Sequence, residues 1–308
     1  MIDLKSYAID GANRSITPNH HEEFKQIVVP LSLSLELRIG LTTHSMILTH
    51  PNHDSYRCIA RHSTMTTDGE ALVIIADGVS TCEDGLYASA LACELFGNNL
   101  MKSANRRGSS KLLTPAEYTH AFKIASQGLR NYSRIESETR GAQVFYATTL
   151  SGIHYIGNVV RRFSLGDSPG YSAESSSSFR QILGMGHSIS QSVLSHYLGP
   201  TKSLGKFDYD LDIFTDDDIV WSQEPVNPNH KELLGTDGLN VVPVETLISH
   251  LFSGTGDVKS ATTRVMDEVL PVARDNTTAA VVAVSQQPYG TQLYQLFSRP
   301  GCFLTDFN

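Results

Sequence analysis

The sequence is poor in cysteine and has no long apolar run. Its four cysteines among 308 residues show no Cys-x-x-Cys spacing, which excludes the usual zinc sites and a dense disulfide framework. We expect them to be reduced thiols. No segment approaches the ~20 apolar residues of a membrane span. The N-terminus also lacks a basic flank followed by an apolar core, so the sequence predicts a cytoplasmic protein without a secretory signal.

Positive charge is sparse as well. The chain carries 24 lysines and arginines against 32 aspartates and glutamates, a formal net charge of −8. Its basic residues are concentrated only in the pairs Arg106-Arg107 and Arg161-Arg162. This distribution argues against nucleic acid and anionic membranes as partners. The acidic balance suits a protein that binds cations.

What remains is the composition of a globular protein, with 40% apolar and 18% charged residues. We predict one α+β domain over residues 34–286, preceded by an N-terminal arm (1–33) and followed by a C-terminal tail (287–308). The arm is expected to be either a mobile segment or an added edge element. A monomer is expected.

The hydrophobic pattern alternates between strand and helix periods. The predicted strands span residues 35–46, 55–61, 71–76, 144–150, 153–156, 159–165, 208–215, 231–236 and 279–285. The predicted helices span residues 86–100, 115–129, 188–198, 243–252 and 258–270. Because several strands follow one another through short turns after residue 144, the sheet is expected to be largely antiparallel.

The strand that ends at Asp77 organises the chain. Its run Leu-Val-Ile-Ile-Ala has no polar face, so it is expected to be buried on both sides. A carboxylate delivered to the edge of such a core costs several kcal/mol unless it meets a cation. Gly78, the next residue, permits a close approach of the backbone. The pattern therefore points to a metal ion.

Three further aspartates share this description. Asp167 and Asp237 each follow an apolar strand and lie beside a glycine, and Asp275 lies just before another apolar strand. Carboxylates gathered at one end of a sheet repel one another unless divalent cations neutralise them. A set of oxygen ligands indicates Mg²⁺ or Mn²⁺.

These residues lie in a series of motifs that resembles the metal-dependent protein phosphatases of the type 2C serine/threonine class. The motifs, in chain order, are Asn52-His53-Asp54, Ala76-Asp77-Gly78-Val79, Ala147-Thr148-Thr149-Leu150, Gly166-Asp167-Ser168, Thr236-Asp237-Gly238-Leu239 and Asp275-Asn276-Thr277. The resemblance covers residues 35–285. It implies a four-layer α-β-β-α sandwich of two stacked antiparallel sheets flanked by helices.

The resemblance also implies a set of metal ligands. Asp77 would bridge two Mn²⁺ or Mg²⁺ ions. Asp237 and Asp275 would complete one coordination sphere, and the Gly78 carbonyl would contribute to the other. Asp167 matches an aspartate that, together with Asp237, holds a third metal.

The implied activity is hydrolysis of phosphoserine and phosphothreonine in proteins. Asp54 would hydrogen-bond the attacking water, which a pair of cations activates and places in line with the phosphorus. No phosphoenzyme is needed, and the sequence contains neither a Cys-x5-Arg loop nor a Gly-x-Ser-x-Gly elbow. The expected partner is a phosphorylated protein in a signalling pathway.

The chain departs from the family pattern at several positions. Thr49 stands where an arginine usually clamps the substrate phosphate. The missing charge-assisted hydrogen bond is expected to weaken substrate binding by about 1.5–3 kcal/mol. His53 replaces an acidic or amide residue and would favour Mn²⁺ as a nitrogen ligand. His50 lies close enough to this motif to contact substrate. Val241 stands where a third metal often has an acidic ligand.

Two alternative functions stay open. A degenerate relative that binds phosphoproteins or regulatory partners without hydrolysing them is suggested by Thr49 and His53. A phosphatase for small phosphomonoesters would use the same metal core. Retention of Asp54, Asp77, Asp237 and Asp275 favours an active protein phosphatase.

Overall fold

The alternation of strand and helix periods produces two stacked antiparallel sheets with helices on their outer faces, as seen in a computed structural model of the chain. The structure describes residues 25–32, 35–45, 52–62, 69–107, 112–184, 188–190, 193–194, 196–203, 206–212, 214–254, 257–286 and 303–307. The predicted α-β-β-α sandwich is confirmed.

The first sheet has six strands. They are β1 (Lys25–Pro30), β2 (Leu35–His44), β7 (Gly170–Ser175), β8 (Ser178–Leu183), β14 (Lys231–Gly235) and β15 (Thr277–Gln286). Their order across the sheet is β1-β2-β15-β14-β7-β8. The end of β14 and the beginning of β15 therefore lie side by side, because these strands pair antiparallel with Gly235 opposite Ala279.

The second sheet also has six strands. They are β3 (Asp54–His62), β4 (Gly69–Asp77), β5 (Leu150–Ile156), β6 (Val159–Leu165), β13 (Val220–Pro225) and β16 (Phe303–Phe307). Their order is β13-β6-β5-β4-β3-β16. Strand β4, the apolar strand expected to organise the chain, lies inside this sheet and is buried along its length until Asp77.

Two helices cover each sheet. Helices α1 (Gly85–Arg107) and α2 (Pro115–Arg140) pack on the second sheet, where Phe96 and Phe163 place their ring centroids 5.0 Å apart. Helices α3 (Val244–Phe252) and α4 (Val258–Val269) cover the first sheet. A separate apolar layer, which includes Ile39 and Ile75, fills the space between the sheets. None of these helices is long and apolar enough to cross a membrane in the part of the chain described.

The start of α2 illustrates how local sequence sets an element. A capping box begins this helix, since the Thr114 backbone N–H donates to the Glu117 carboxylate at 2.6 Å, and Pro115 occupies the first helical position. The helix ends at Gly141, whose φ of 64° is the left-handed conformation that favours glycine.

Two local predictions are wrong. Residues 188–198 were expected to be helical, but Ser188–Ser190 and Val193–Leu194 form a small antiparallel ribbon (β9 and β10). Serine side chains compete for backbone hydrogen bonds and weaken a helix. A second ribbon follows, made of β11 (Pro200–Ser203) and β12 (Lys206–Asp212).

The strand predicted over residues 144–150 is the second error. Regular structure there begins only at Leu150. The carbonyl groups of Phe145 and Ala147 instead accept hydrogen bonds from the N–H groups of Glu83 and Val79, at 3.0 Å each. The segment is therefore held against the loop after β4.

The segments outside residues 34–286 each contribute an edge strand. In the N-terminal segment, β1 pairs with β2 in the first sheet. In the C-terminal segment, β16 pairs with β3 in the second sheet. Cys58, Cys82 and Cys93 form no disulfide among the described residues, and Cys302 lies outside them.

Candidate metal centre

Asp54 and Asp77 stand directly opposite each other in the second sheet, where β3 begins and β4 ends. The backbone of Asp77 is fixed by two threonines that precede β5. Its N–H donates to Thr149 Oγ1 at 3.1 Å, and its carbonyl oxygen accepts from Thr148 Oγ1 at 2.7 Å. The Ala-Thr-Thr-Leu motif thus positions the carboxylate at the end of the organising strand.

Asp237 and Asp275 reach the same region from the first sheet. Asp237 begins a short 3₁₀ helix (Asp237–Val241) after β14, and Asp275 lies two residues before β15. Gly238 makes this arrangement compact, since a Cβ there would lie 2.4 Å from the carbonyl oxygen of Asn276. The Asn276 N–H donates to Asp275 Oδ1 at 2.8 Å.

Gly78 brings the backbone after Asp77 against the start of α1. A Cβ at this position would lie 2.2 Å from the carbonyl oxygen of Gly85. The Gly78 N–H donates to the His53 carbonyl oxygen at 3.1 Å, and Gly78 also forms an isolated bridge with Thr148. Only glycine permits this close approach.

Burial and mutual repulsion raise the pKa of three of these carboxyl groups. Burial is the largest cause for Asp54, whose pKa rises to about 7, with repulsion from Asp237 and Asp275 adding to it. Burial, followed by Asp54, Asp237 and Asp275, holds the pKa of Asp77 well above its usual range. Burial and then Asp167 and Asp275 raise the pKa of Asp237 to about 6. These aspartates therefore form one electrostatic cluster.

The cluster fits a divalent cation in its donor chemistry. Asp54 Oδ1 and Asp237 Oδ1 are buried without a hydrogen-bond partner in the part of the chain that the structure describes. Neither these two residues nor Asp77 and Asp275 pair with a lysine or arginine within the described ranges. No three acidic, histidine or cysteine side chains among the described residues form a ready-made coordination set. The fit of the cluster to a divalent cation therefore rests on two features: a hard cation would neutralise the shared negative charge and would bind the unpartnered carboxylate oxygens.

Threonine hydroxyls hold Asp54, and sequence reasoning missed them. Thr236 Oγ1 donates to Asp54 Oδ2 at 2.9 Å, and Thr278 Oγ1 donates to the same oxygen at 3.0 Å. Thr278 lies on β15 of the first sheet and Thr236 directly follows β14 of the same sheet, whereas Asp54 begins β3 of the second sheet. Thr236 is the first residue of the Thr236-Asp237-Gly238-Leu239 motif and Thr278 directly follows the Asp275-Asn276-Thr277 motif, but neither threonine was assigned a role from the sequence.

Asp167 follows β6 and joins the cluster through Asp237. It is the first among the neighbouring charges that raise the pKa of Asp237. Gly166 turns the chain there with a φ of 109°. Val241 is 41% exposed at the end of the 3₁₀ helix and offers no ligand oxygen from its side chain. A third metal at Asp167 and Asp237 stays a prediction.

His53 of the N-terminal motif and the nearby His50 have different outcomes. His53 packs against the first residue of α1, since a Cβ on Gly85 would lie 2.7 Å from His53 Cγ. His53 therefore lies beside the Gly78 turn, and its role as a metal ligand stays a prediction. His50 and Thr49 lie outside the described residues.

Solved structures share this architecture. The serine/threonine phosphatase PstP/Ppp of Mycobacterium tuberculosis matches with a TM-score of 0.58 at 18% identity, over 81% of this chain and 99% of that chain. The catalytic domain of PstP in complex with two manganese ions gives 0.58 at 20% identity, over 82% and 99%. The PPM phosphatase MsPP of Mycobacterium smegmatis in complex with cacodylate gives 0.53 at 17% identity, over 80% and 97%.

The chain has the fold of the PPM serine/threonine phosphatases. No family model and no curated protein matches its sequence. The PPM fold agrees with the architecture expected from the ordered motifs. At these identities the similarity establishes the fold, and the activity has to be inferred from the chemistry of the aspartate cluster.

Proposed function

We propose that the chain is a divalent-cation-dependent phosphatase that hydrolyses phosphoserine and phosphothreonine in proteins. One observation carries this proposal: the PPM fold gathers Asp54, Asp77, Asp237 and Asp275 from two sheets into one cluster that includes unpartnered buried carboxylate oxygens. An acidic cluster of this kind favours bound cations, and bound cations are what an anionic phosphate ester requires.

Asp77, Asp237, Asp275 and the Gly78 carbonyl would hold two Mn²⁺ or Mg²⁺ ions, and Asp167 with Asp237 a third. Such ions, when bound, lower the pKa of water and offset charge on phosphoryl oxygens. Manganese is present in the PstP complex, and for this chain the preference between Mn²⁺ and Mg²⁺ belongs to the proposal.

The remaining side chains position the reactants. Asp54 Oδ1 has no hydrogen-bond partner among the described residues and is available to accept a hydrogen bond from the attacking water. Thr236 and Thr278 occupy Asp54 Oδ2 and so decide which oxygen is available. Thr149 fixes the backbone of Asp77 beside it.

Turnover of p-nitrophenyl phosphate and of a phosphothreonine peptide tests the proposal. We expect hydrolysis of both with Mn²⁺ and none with EDTA. Asp77→Asn and Asp237→Asn should each reduce turnover by roughly 100-fold or more, because each removes a charge that holds cations. Asp210→Asn is the matched control, since Asp210 is 84% exposed on β12 and lies outside the cluster.

The outcomes separate the candidate functions. Absence of Mn²⁺-dependent turnover in the parent protein would contradict the proposal and favour a phosphoprotein-binding role. Hydrolysis of p-nitrophenyl phosphate without hydrolysis of the peptide would indicate a small-phosphomonoester phosphatase. Equal losses in Asp210→Asn and Asp237→Asn would show that the cluster has no special role.

A further inference from the structure

A closed ring of hydrogen bonds leads to the Asp54 carboxylate. Asn52 Nδ2 donates to Thr43 Oγ1 at 2.6 Å, and the hydroxyl oxygens of Thr43 and Thr278 are 2.7 Å apart. Thr278 Oγ1 donates to Asp54 Oδ2 at 3.0 Å. The Asp54 N–H donates to Asn52 Oδ1 at 3.0 Å, which closes the ring. Thr43 and Thr278 come from the first sheet, so the ring spans both sheets.

The chemistry of the ring fixes the direction of each hydrogen bond. The Asn52 amide is oriented by the Asp54 N–H at its oxygen, so its nitrogen faces Thr43 and can only donate. Thr43 therefore directs its own hydrogen to Thr278, and Thr278 directs its hydrogen to Asp54. An ionised carboxylate can only accept a hydrogen bond. The donor at the Asn52 end and the acceptor at the Asp54 end therefore require the same direction along the chain of hydrogen bonds. Donors aligned in this way polarise one another and strengthen the last bond.

This directed chain distinguishes the two oxygens of Asp54. Oδ2 accepts from both Thr278 and Thr236, whereas Oδ1 is buried with no partner in the described residues. Turning the plane of the carboxylate away from this orientation would break hydrogen bonds to a buried charge. The ring thus holds the carboxylate in one orientation.

We propose that Thr278, supported by Thr43 and Asn52, is a positioning residue for catalysis that keeps Asp54 Oδ1 directed at the attacking water. This inference rests on the proposed phosphatase function, in which Asp54 orients that water. The competing explanation is that the hydroxyls only fasten one sheet to the other. The two explanations differ in what a single hydroxyl does to kcat.

Steady-state kinetics with saturating Mn²⁺ separates them. Thr278→Val removes the hydroxyl at constant shape and should lower kcat roughly 10- to 100-fold, the loss expected for a hydrogen bond to a charged group, with KM changed less than about twofold. Thr278→Ser restores a hydroxyl and should recover most of the loss. Thr43→Val, one bond further away, should give a smaller decrease in kcat.

Thr262→Val is the matched control. Thr262 is fully buried in α4, and its hydroxyl donates only to the Val258 carbonyl oxygen of the same helix, at 2.7 Å. Its removal should leave kcat at the parent value. A parent-like kcat in Thr278→Val, or equal losses in Thr278→Val and Thr262→Val, would overturn the proposal.

A double-mutant cycle on thermal stability tests the same contact without turnover. In EDTA, Thr278→Val should shift the melting temperature less than half as much in an Asp54→Ala background as in the parent, whereas the Thr262→Val shift should be the same in both. If the parent lacks turnover, the phosphatase proposal fails by itself. Additive shifts for Asp54 and Thr278 would overturn the positioning role whether or not the parent turns over, whereas non-additive shifts would establish the contact on which that role depends.

Discussion

At the scale of single residues, burying the carboxylates of the aspartate cluster lowers the stability of the fold. Asp54 is 3% exposed, and burial is the largest cause of its raised pKa of about 7. Two threonine hydroxyls offset part of this cost by lowering that pKa. A bound ligand can compensate for the burial of such groups, which supports the proposal that the cluster holds cations.

The raised pKa values predict how stability changes with pH. Because the pKa of Asp54 is about 7 and that of Asp237 about 6 in the folded chain, against 3.8 as the ordinary value, the native state holds protons that the unfolded state has released. The free energy of unfolding therefore falls as pH rises from about 4 to about 7, by up to about 1.4 kcal/mol per pH unit for each group.

Denaturation with guanidinium chloride at several pH values in EDTA measures this effect. Asp54→Asn should show a shallower fall than the parent over the same window, since it lacks one titrating group. Mn²⁺ should stabilise the parent most at the alkaline end, where the carboxylates are ionised. Identical pH profiles for the parent and Asp54→Asn would contradict the assignment.

At the scale of elements, the turn from β4 into α1 sets the geometry of the centre. Gly78 lies against Gly85, the first residue of α1, and the following Val79 N–H donates to Ala147 at 3.0 Å. The helix begins with its own cap, because Asp84 Oδ1 accepts from the Tyr87 N–H at 2.9 Å. The turn leaves no room for a side chain.

Gly78→Ala should therefore destabilise the protein by about 1–3 kcal/mol, the usual cost of forcing extra atoms into a packed site. It should also reduce the stabilisation by Mn²⁺, because the backbone beside Asp77 has to move. Gly128→Ala is the matched control: a Cβ there meets only the side chain of the half-buried Leu95, which can move away. Thermal denaturation with and without Mn²⁺ measures both effects, and equal behaviour of the two variants would refute the argument.

At the scale of the whole molecule, the centre depends on the alignment of two sheets. Asp54 and Asp77 come from one sheet, and Asp237 and Asp275 flank strands of the other. A buried ion pair also joins the sheets. Arg162 on β6 donates through Nε to Glu232 Oε1 on β14 at 3.0 Å, and both residues are almost fully buried.

Breaking this pair should be costly. Glu232→Gln leaves a buried arginine without its full counter-charge, and we expect a loss of about 3–5 kcal/mol in the free energy of unfolding. Asp210→Asn removes the same charge from an exposed pair with Arg134 and should cost less than about 1 kcal/mol. Guanidinium chloride denaturation compares the two, and a similar small cost for both would show that the inter-sheet pair is dispensable.

The sequence was informative where structure is local. The apolar strand up to Asp77 and the helix that begins at Pro115 were correctly predicted, because the hydrophobic pattern of each is set by neighbouring residues. The helix expected over residues 188–198 was wrong, since that segment is short, rich in serine and paired in a ribbon. The positions of the aspartates followed from motif order, whereas the hydroxyls that hold Asp54 did not.

By itself, the sequence determined the strands that end in aspartate, the helices that cover them and the acidic character of the centre, because side-chain periodicity and charge are properties of neighbouring residues. Only the tertiary structure decided which groups meet. Thr278 and Asp54 are separated by 224 positions, and their hydrogen bond exists because the two sheets stack in one alignment. That alignment depends on packing across the whole interior, which no short stretch of sequence specifies.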